Sequence, residues 1–103
     1  MAPLLRRTRV KICGITRVED AVAVVQSGAD ALGLVFYPKS PRCVDSARAR
    51  LIAESVSPFV TVVGLFVNTT PEAIYEIIAS VPLGLLQFHG DEDNATCKSF
   101  GLP

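Results

Sequence analysis

An α/β fold built on a parallel sheet is what this sequence predicts, and two observations carry the prediction. Short apolar runs that read as strands alternate with stretches of helical spacing four times along the chain. The runs are apolar on both faces rather than alternating, the pattern of parallel strands covered by helices.

Residues 9–15 read as the first strand, ending at Cys13-Gly14. Residues 18–27 form the first helix, with Val18, Ala21, Val22 and Val25 at helical spacing. Thr16 and Glu19 have the spacing of a capping box, Asp20 favours the same first turn, and Gly28 supplies the stop. Residues 31–36 are a nearly unbroken apolar second strand, followed by the proline-shaped loop YPKSPRCV. Asp45 is positioned to cap a second helix that carries Leu51, Ile52 and Val56 and closes at Pro58. Residues 60–67 form the third strand, with Thr61 its only polar residue. Thr69-Thr70-Pro71-Glu72 marks a helix start, a hydroxyl cap followed by proline in the first turn. The helix over 72–80 then sets Ala73, Ile74, Ile77 and Ile78 on one side. Residues 83–89 form the fourth strand, and a fourth helix spans 91–100.

Four such units fit either a small doubly wound sheet or about four of the eight units of a TIM (βα)8 barrel, which takes ~250 residues. The ending favours the barrel, because a chain stopping at Gly101-Leu102-Pro103 leaves its last helix with no strand to cover. The expectation is a single incomplete domain over residues 1–103, the N-terminal half of a barrel, whose first and fourth strands expose free edges.

Composition narrows the function. With 103 residues, half of them hydrophobic, the chain supports one small core. Ten basic and ten acidic residues cancel, so there is no electrostatic case for nucleic acid or an anionic membrane. The longest apolar stretches fall far short of the roughly 20 residues a bilayer span requires. The opening MAPLLRRTRV puts its arginines after the apolar patch, the reverse of a secretory signal, so a cytoplasmic protein is expected. Cys13, Cys43 and Cys97 are an odd set without CxxC spacing, which suggests neither a disulfide framework nor a zinc site. No Walker loop, GxGxxG, HExxH or GxSxG appears, so no cofactor or metal is expected.

In parallel α/β folds the site is built at the C-terminal ends of the strands. That rule selects Cys13, the loop from Lys39 to Arg42, Asn68 and His89. Cys13 reads either as a small buried hydrophobe or as a base or nucleophile, and its place beside Gly14 ahead of a helix favours the second. Cys43 and Cys97 read as structural. Arg42 is either a solvated surface residue or a clamp on a carboxylate or phosphate. His89, the only histidine, is a structural residue or one that touches substrate. Gln87 shares its strand face. Asn68 reads as a cap or turn residue.

Together these segments resemble the phosphoribosylanthranilate isomerases. KICGIT over residues 11–16 with Glu19-Asp20, SGAD over 27–30 and GLVFYPKSPR over 33–42 carry the resemblance, with GLFVN over 64–68 and QFHG over 87–90. It covers roughly residues 10–92. The resemblance implies an Amadori rearrangement of N-(5-phosphoribosyl)anthranilate, in tryptophan biosynthesis, to 1-(o-carboxyphenylamino)-1-deoxyribulose 5-phosphate. It implies Cys13 as the general base, Arg42 as a substrate contact and His89 as a pocket residue, with no cofactor and with a full-length form that is a monomer or homodimer. The family's general acid and phosphate loops lie on later strands, beyond Pro103, so the resemblance implies that these residues alone are inactive. Asp91 and Asp93 are better explained by the helix N-terminus than as that acid. Two other readings stand beside it: a non-enzymatic half barrel that pairs with itself or a partner chain, and a different phosphosugar-handling barrel enzyme.

Overall fold

The structure is a computed structural model that describes residues 6–103; the apolar patch that precedes Arg6 in the leader reading lies outside the described residues. Four parallel strands form one sheet in the order β1-β2-β3-β4: β1 (Lys11–Cys13), β2 (Ala31–Val35), β3 (Thr61–Phe66) and β4 (Leu85–Phe88). Between and after them run α1 (Val18–Gln26), α2 (Ser46–Glu54), α3 (Pro71–Ser80) and the short α4 (Asn94–Cys97).

The strands are shorter than their apolar runs, because only the stretch with a hydrogen-bonded neighbour is held extended. β1, at an edge, keeps three residues in register: Lys11 opposite Ala31, Ile12 opposite Leu32 and Cys13 opposite Gly33. The helix signals divide. Asp45 accepts from the Arg48 amide at 2.8 Å and Thr70 from the Ala73 amide at 3.3 Å, each satisfying an otherwise unpaired first-turn donor. Pro71 follows in the first turn of α3, where its missing N–H costs nothing. The Thr16 capping box does not form. The extended cap position is Arg17, without a side-chain cap bond, and its guanidinium holds Asp20 at 2.9 Å instead. Gly28, at φ +92°, ends α1 as expected. The fourth helix contracts to a single turn capped by Asp93, which accepts from the Thr96 amide.

The core lies between the helices and one face of the sheet. Leu32, Leu34, Phe36, Val62, Phe66 and Leu86 meet Ala21, Ala49, Ile52 and Ile74 there, all buried. Phe66 is fully enclosed, its ring 5.3 Å from that of Phe36 and 6.1 Å from that of Phe88. Leu51, read from periodicity as a packing residue of α2, is 63% exposed, and Ile52 takes the buried position. The residues after α4 do cover the sheet: Phe100 is buried, Leu102 packs on the core, and the Leu86 amide on the outer edge of β4 donates to the Pro103 carbonyl at 2.8 Å.

At the opposite end of the sheet, Asp30 ties down the segment that enters β1. It accepts from Arg7 and, at 2.8 Å, from the Val10 amide. The Arg7 hydrogen bond, helped by that amide, holds the Asp30 carboxyl down at about 2. A carboxylate depressed in this way stabilises the fold above its unfolded value of about 3.9, and the contribution disappears as pH falls towards about 2. Asp30→Asn is therefore expected to lower the urea midpoint at pH 6, with the gap to the unchanged chain closing by pH 2. Arg7 is 71% exposed, so salt shrinks the gap. A gap independent of pH would show that Asp30 acts through shape alone.

Candidate active site

On the face of the sheet turned away from the helices, near the strands' C-terminal ends, lies a cavity of about 430 Å³. Each strand contributes. Lys11 and Cys13 come from β1, Val35 from β2, Leu65 and Val67 from β3 and just beyond it, and Gln87 and His89 from β4 and just beyond it. Along β2, β3 and β4 these positions alternate with the core residues, so the period of two sends one set to the core and the other to the cavity. Tyr37, Ser40 and Arg42 complete it from the loop after β2.

Cys13, half-buried, is the last residue of β1. The chain then turns sharply at Gly14, at φ +83°, and the Gly14 and Ile15 amides both donate to the Gly33 carbonyl at 3.0 and 3.1 Å. Gly33 leaves room beside the thiol: a Cβ there would stand 3.0 Å from the Cys13 Sγ.

The loop after β2 is folded by short-range bonds and returns to the sheet. The Ser40 amide donates to the Tyr37 carbonyl, Cys43 bridges back to Val35, and the Val44 amide donates to the Val35 carbonyl at 2.9 Å. This doubling-back swings Arg42 across to the β1 side. Its guanidinium lies on Gly14 and its Nη1 donates to the Cys13 carbonyl at 3.3 Å. A Cβ on Gly14 would fall 2.4 Å from that Nη1, so only glycine permits both the left-handed turn and the seat of the arginine. Base candidate and clamp candidate thus share one loop junction.

The other rim residues divide. His89 lines the cavity, its backbone fixed by donation to the Phe66 carbonyl at 2.9 Å, and Gln87 shares its face. Lys39 is exposed and does not line the cavity. Asn68 does not line it either. At φ +49° it makes a turn in which its Oδ1 accepts from the Asp91 amide at 2.8 Å. The Glu92 carboxylate accepts from the Asn68 and Gly90 amides at 2.7 and 2.8 Å, which clasps the loops after β3 and β4 together. Asp93 serves its helix: the Thr96 amide holds its carboxyl below the usual range. Cys43 and Cys97 lie outside the cavity, and burial, with Asp45 nearby, pushes the Cys43 thiol up. Among the described residues no group of three or more His, Cys, Asp or Glu is placed to hold a metal ion, and no helix is long and apolar enough to cross a membrane.

Lys11 and Tyr37 were not singled out from the sequence, whereas Ser40 falls within the selected loop from Lys39 to Arg42. For Lys11 the signal was present, since a residue two before Cys13 on a strand shares its face. For Tyr37 the loop's return path decides, and no local pattern announces it.

A parallel sheet with helices on one face and a polar cavity at the carboxyl ends of its strands defines an α/β protein of the kind that carries small-molecule sites there. Residues 10–102 match the family model of N-(5'phosphoribosyl)anthranilate (PRA) isomerase, and the chain belongs to that family. It is 54% identical over 99 residues to the N-(5'-phosphoribosyl)anthranilate isomerase of Neisseria gonorrhoeae, covering 96% of this chain and 48% of that protein. Against the enzyme of that name from Stutzerimonas stutzeri the identity is 60% over 95 residues, covering 92% and 46%. The crystal structure of phosphoribosyl anthranilate isomerase from Thermotoga maritima superposes with a TM-score of 0.88 at 48% identity, over 92% of this chain and 46% of that one. A phosphoribosyl anthranilate isomerase in complex with reduced 1-(o-carboxyphenylamino)-1-deoxyribulose 5-phosphate matches equally, with a TM-score of 0.88 at 48% identity over 92% and 49% of the two chains. The chain spans about half the length of the curated relatives it matches.

Proposed function

We propose that this chain supplies the base side of a phosphoribosylanthranilate isomerase, as the N-terminal half of a (βα)8 barrel and a single incomplete domain over residues 1–103. The observation that carries the reading is the convergence of Cys13, Arg42 and His89, from three separate rim segments, on one cavity. The substrate, N-(5-phosphoribosyl)anthranilate, is an aminoaldose with an aromatic carboxylate. Val35, Leu65 and Val67 offer an apolar wall for an aromatic ring, and the Arg42 fork suits a carboxylate. After an acid from the other half has opened the furanose to a Schiff base, the Cys13 thiolate takes the proton from C2. The electron pair of that C–H bond forms the C1–C2 double bond as the C1=N π pair moves onto the iminium nitrogen, giving an enolamine; loss of the C2 hydroxyl proton and protonation of C1 then give the aminoketose. No cofactor or metal enters, because the reaction only moves protons. The whole protein would be a cytoplasmic enzyme of tryptophan biosynthesis, a monomer or homodimer; a phosphoribosylanthranilate isomerase from Thermotoga maritima is described as dimeric.

The test is the product of the full coding frame, incubated with substrate and followed by loss of anthranilate fluorescence. Turnover is expected, and Arg42→Met is expected to raise KM by roughly 10- to 100-fold, the worth of a charge-assisted hydrogen bond left unmade. Absence of turnover in a folded full-length product would sink the reading. A second reading, a non-enzymatic half barrel that self-associates, draws on the β1 edge, where Val10 and Ile12 are 45% and 39% exposed. A compact homodimer of the 103-residue chain in size exclusion would favour it, and a monomer would end it.

A further inference from the structure

Beneath the layer of Cys13 and His89 lies a second layer that neither the motifs nor the reaction above assigns. Lys11 precedes Cys13 by two residues and Gln87 precedes His89 by two, so both side chains face the cavity. They come from the two edge strands, which do not pair, yet the Lys11 Nζ donates to the Gln87 Oε1 across the concave face. Gln87 is neutral, and none of the ion pairs among the described residues gives Lys11 a carboxylate. Among the described residues no aspartate or glutamate lines the cavity, so this half contributes two positive charges to it, from Lys11 and Arg42, and no negative one. A concave wall of one sign focuses its field into the space it encloses.

We propose that Lys11, its ammonium group fixed by Gln87, is a second anion-directing residue of this cavity, drawing a multiply anionic substrate over Cys13. Arg42 holds the rim and Lys11 the floor, so a ligand with separated negative groups is attracted from two directions. The inference rests on the isomerase reading for the identity of that ligand, a sugar phosphate bearing a carboxylate. The potential at the thiol can be measured without any turnover.

The probe pair is iodoacetate and iodoacetamide, nearly equal in size and differing in charge. Both lose iodide to the same thiolate, so accessibility and the thiolate fraction cancel in the ratio of their rates at Cys13, read by mass spectrometry with Cys43 and Cys97 as internal references. The backbones of Lys11 and Cys13 are about 6.6 Å apart along the strand, and a unit charge at a separation of that order changes an anion's approach by about three-fold even in water. Lys11→Met is expected to lower the iodoacetate-to-iodoacetamide ratio at Cys13 about three-fold and leave the ratios at Cys43 and Cys97 unchanged. Lys11→Arg is expected to preserve it, a rescue that a purely structural role would not produce. Lys11→Gln, which keeps a polar partner for Gln87, is the second uncharged variant should the methionine fail to fold. Raising the ionic strength from about 0.01 M to about 1 M, which shortens the Debye length from ~30 Å to ~3 Å, should lower the ratio in the unchanged chain. An unaltered ratio in a folded uncharged variant overturns the proposal, and so does a flat salt series. A full-length protein with the charge-dependent ratio and no isomerisation would fail the functional reading alone.

Discussion

Cys13→Ala in the full-length protein is expected to lower kcat/KM by about 10²- to 10⁴-fold, the usual contribution of a positioned general base. The thiol is half-buried at the carboxyl end of β1 and faces the cavity, and it does not belong to the core behind the sheet. Its removal should therefore leave the circular dichroism spectrum and the urea midpoint nearly unchanged. Because Arg42 rests on Gly14 and donates to the Cys13 backbone carbonyl, its seat survives the substitution. Substrate affinity should persist while turnover collapses. The measurement is steady-state kinetics by anthranilate fluorescence, with binding of a reduced product analogue measured alongside. Activity retained within a few-fold would remove Cys13 from the role, and loss of binding in equal measure would make it a structural residue instead.

The largest stability effect is expected at Phe66. Its side chain is completely buried at the centre of the core, between Phe36 and Phe88. Phe66→Ala leaves a cavity ringed by two aromatic side chains that cannot both collapse into it, and should cost about 3–5 kcal/mol. Phe59, 95% exposed in the turn before β3, provides the contrast: Phe59→Ala should stay within about 0.5 kcal/mol. Paired urea titrations of the two variants decide the point. Similar losses at both positions would mean that Phe59 is covered in solution and that the core is not where the structure puts it.

The sequence by itself determined the alternation of strands and helices and where most of the helices start and stop. Those properties follow from local patterns: unbroken apolar runs set against a period near 3.6, a hydroxyl or carboxylate before a helix, a glycine after it. Hence Asp45, Thr70 and Gly28 act as their neighbourhoods imply. The rim positions of Cys13 and His89 were legible for a related reason, since the carboxyl end of a parallel strand is recognisable from where its apolar run stops. The roles proposed for them come from the resemblance to a family.

Tertiary structure decided the rest. Thr16 and Glu19 have capping-box spacing, but the chain enters α1 one residue later; the Thr16 carbonyl accepts from Arg48, 32 residues away, and Arg17 engages Asp20. Lys39 and Arg42 share a loop, yet only the return of that loop to Val35 delivers Arg42 to the cavity. Lys11 meets Gln87 across 76 residues because the sheet brings its two edge strands within reach of each other over the concave face. Spacing along a chain fixes what a residue's immediate backbone can do. Which distant side chain shares its space depends on how the whole sheet curves and where each loop re-enters it, and no local pattern encodes that.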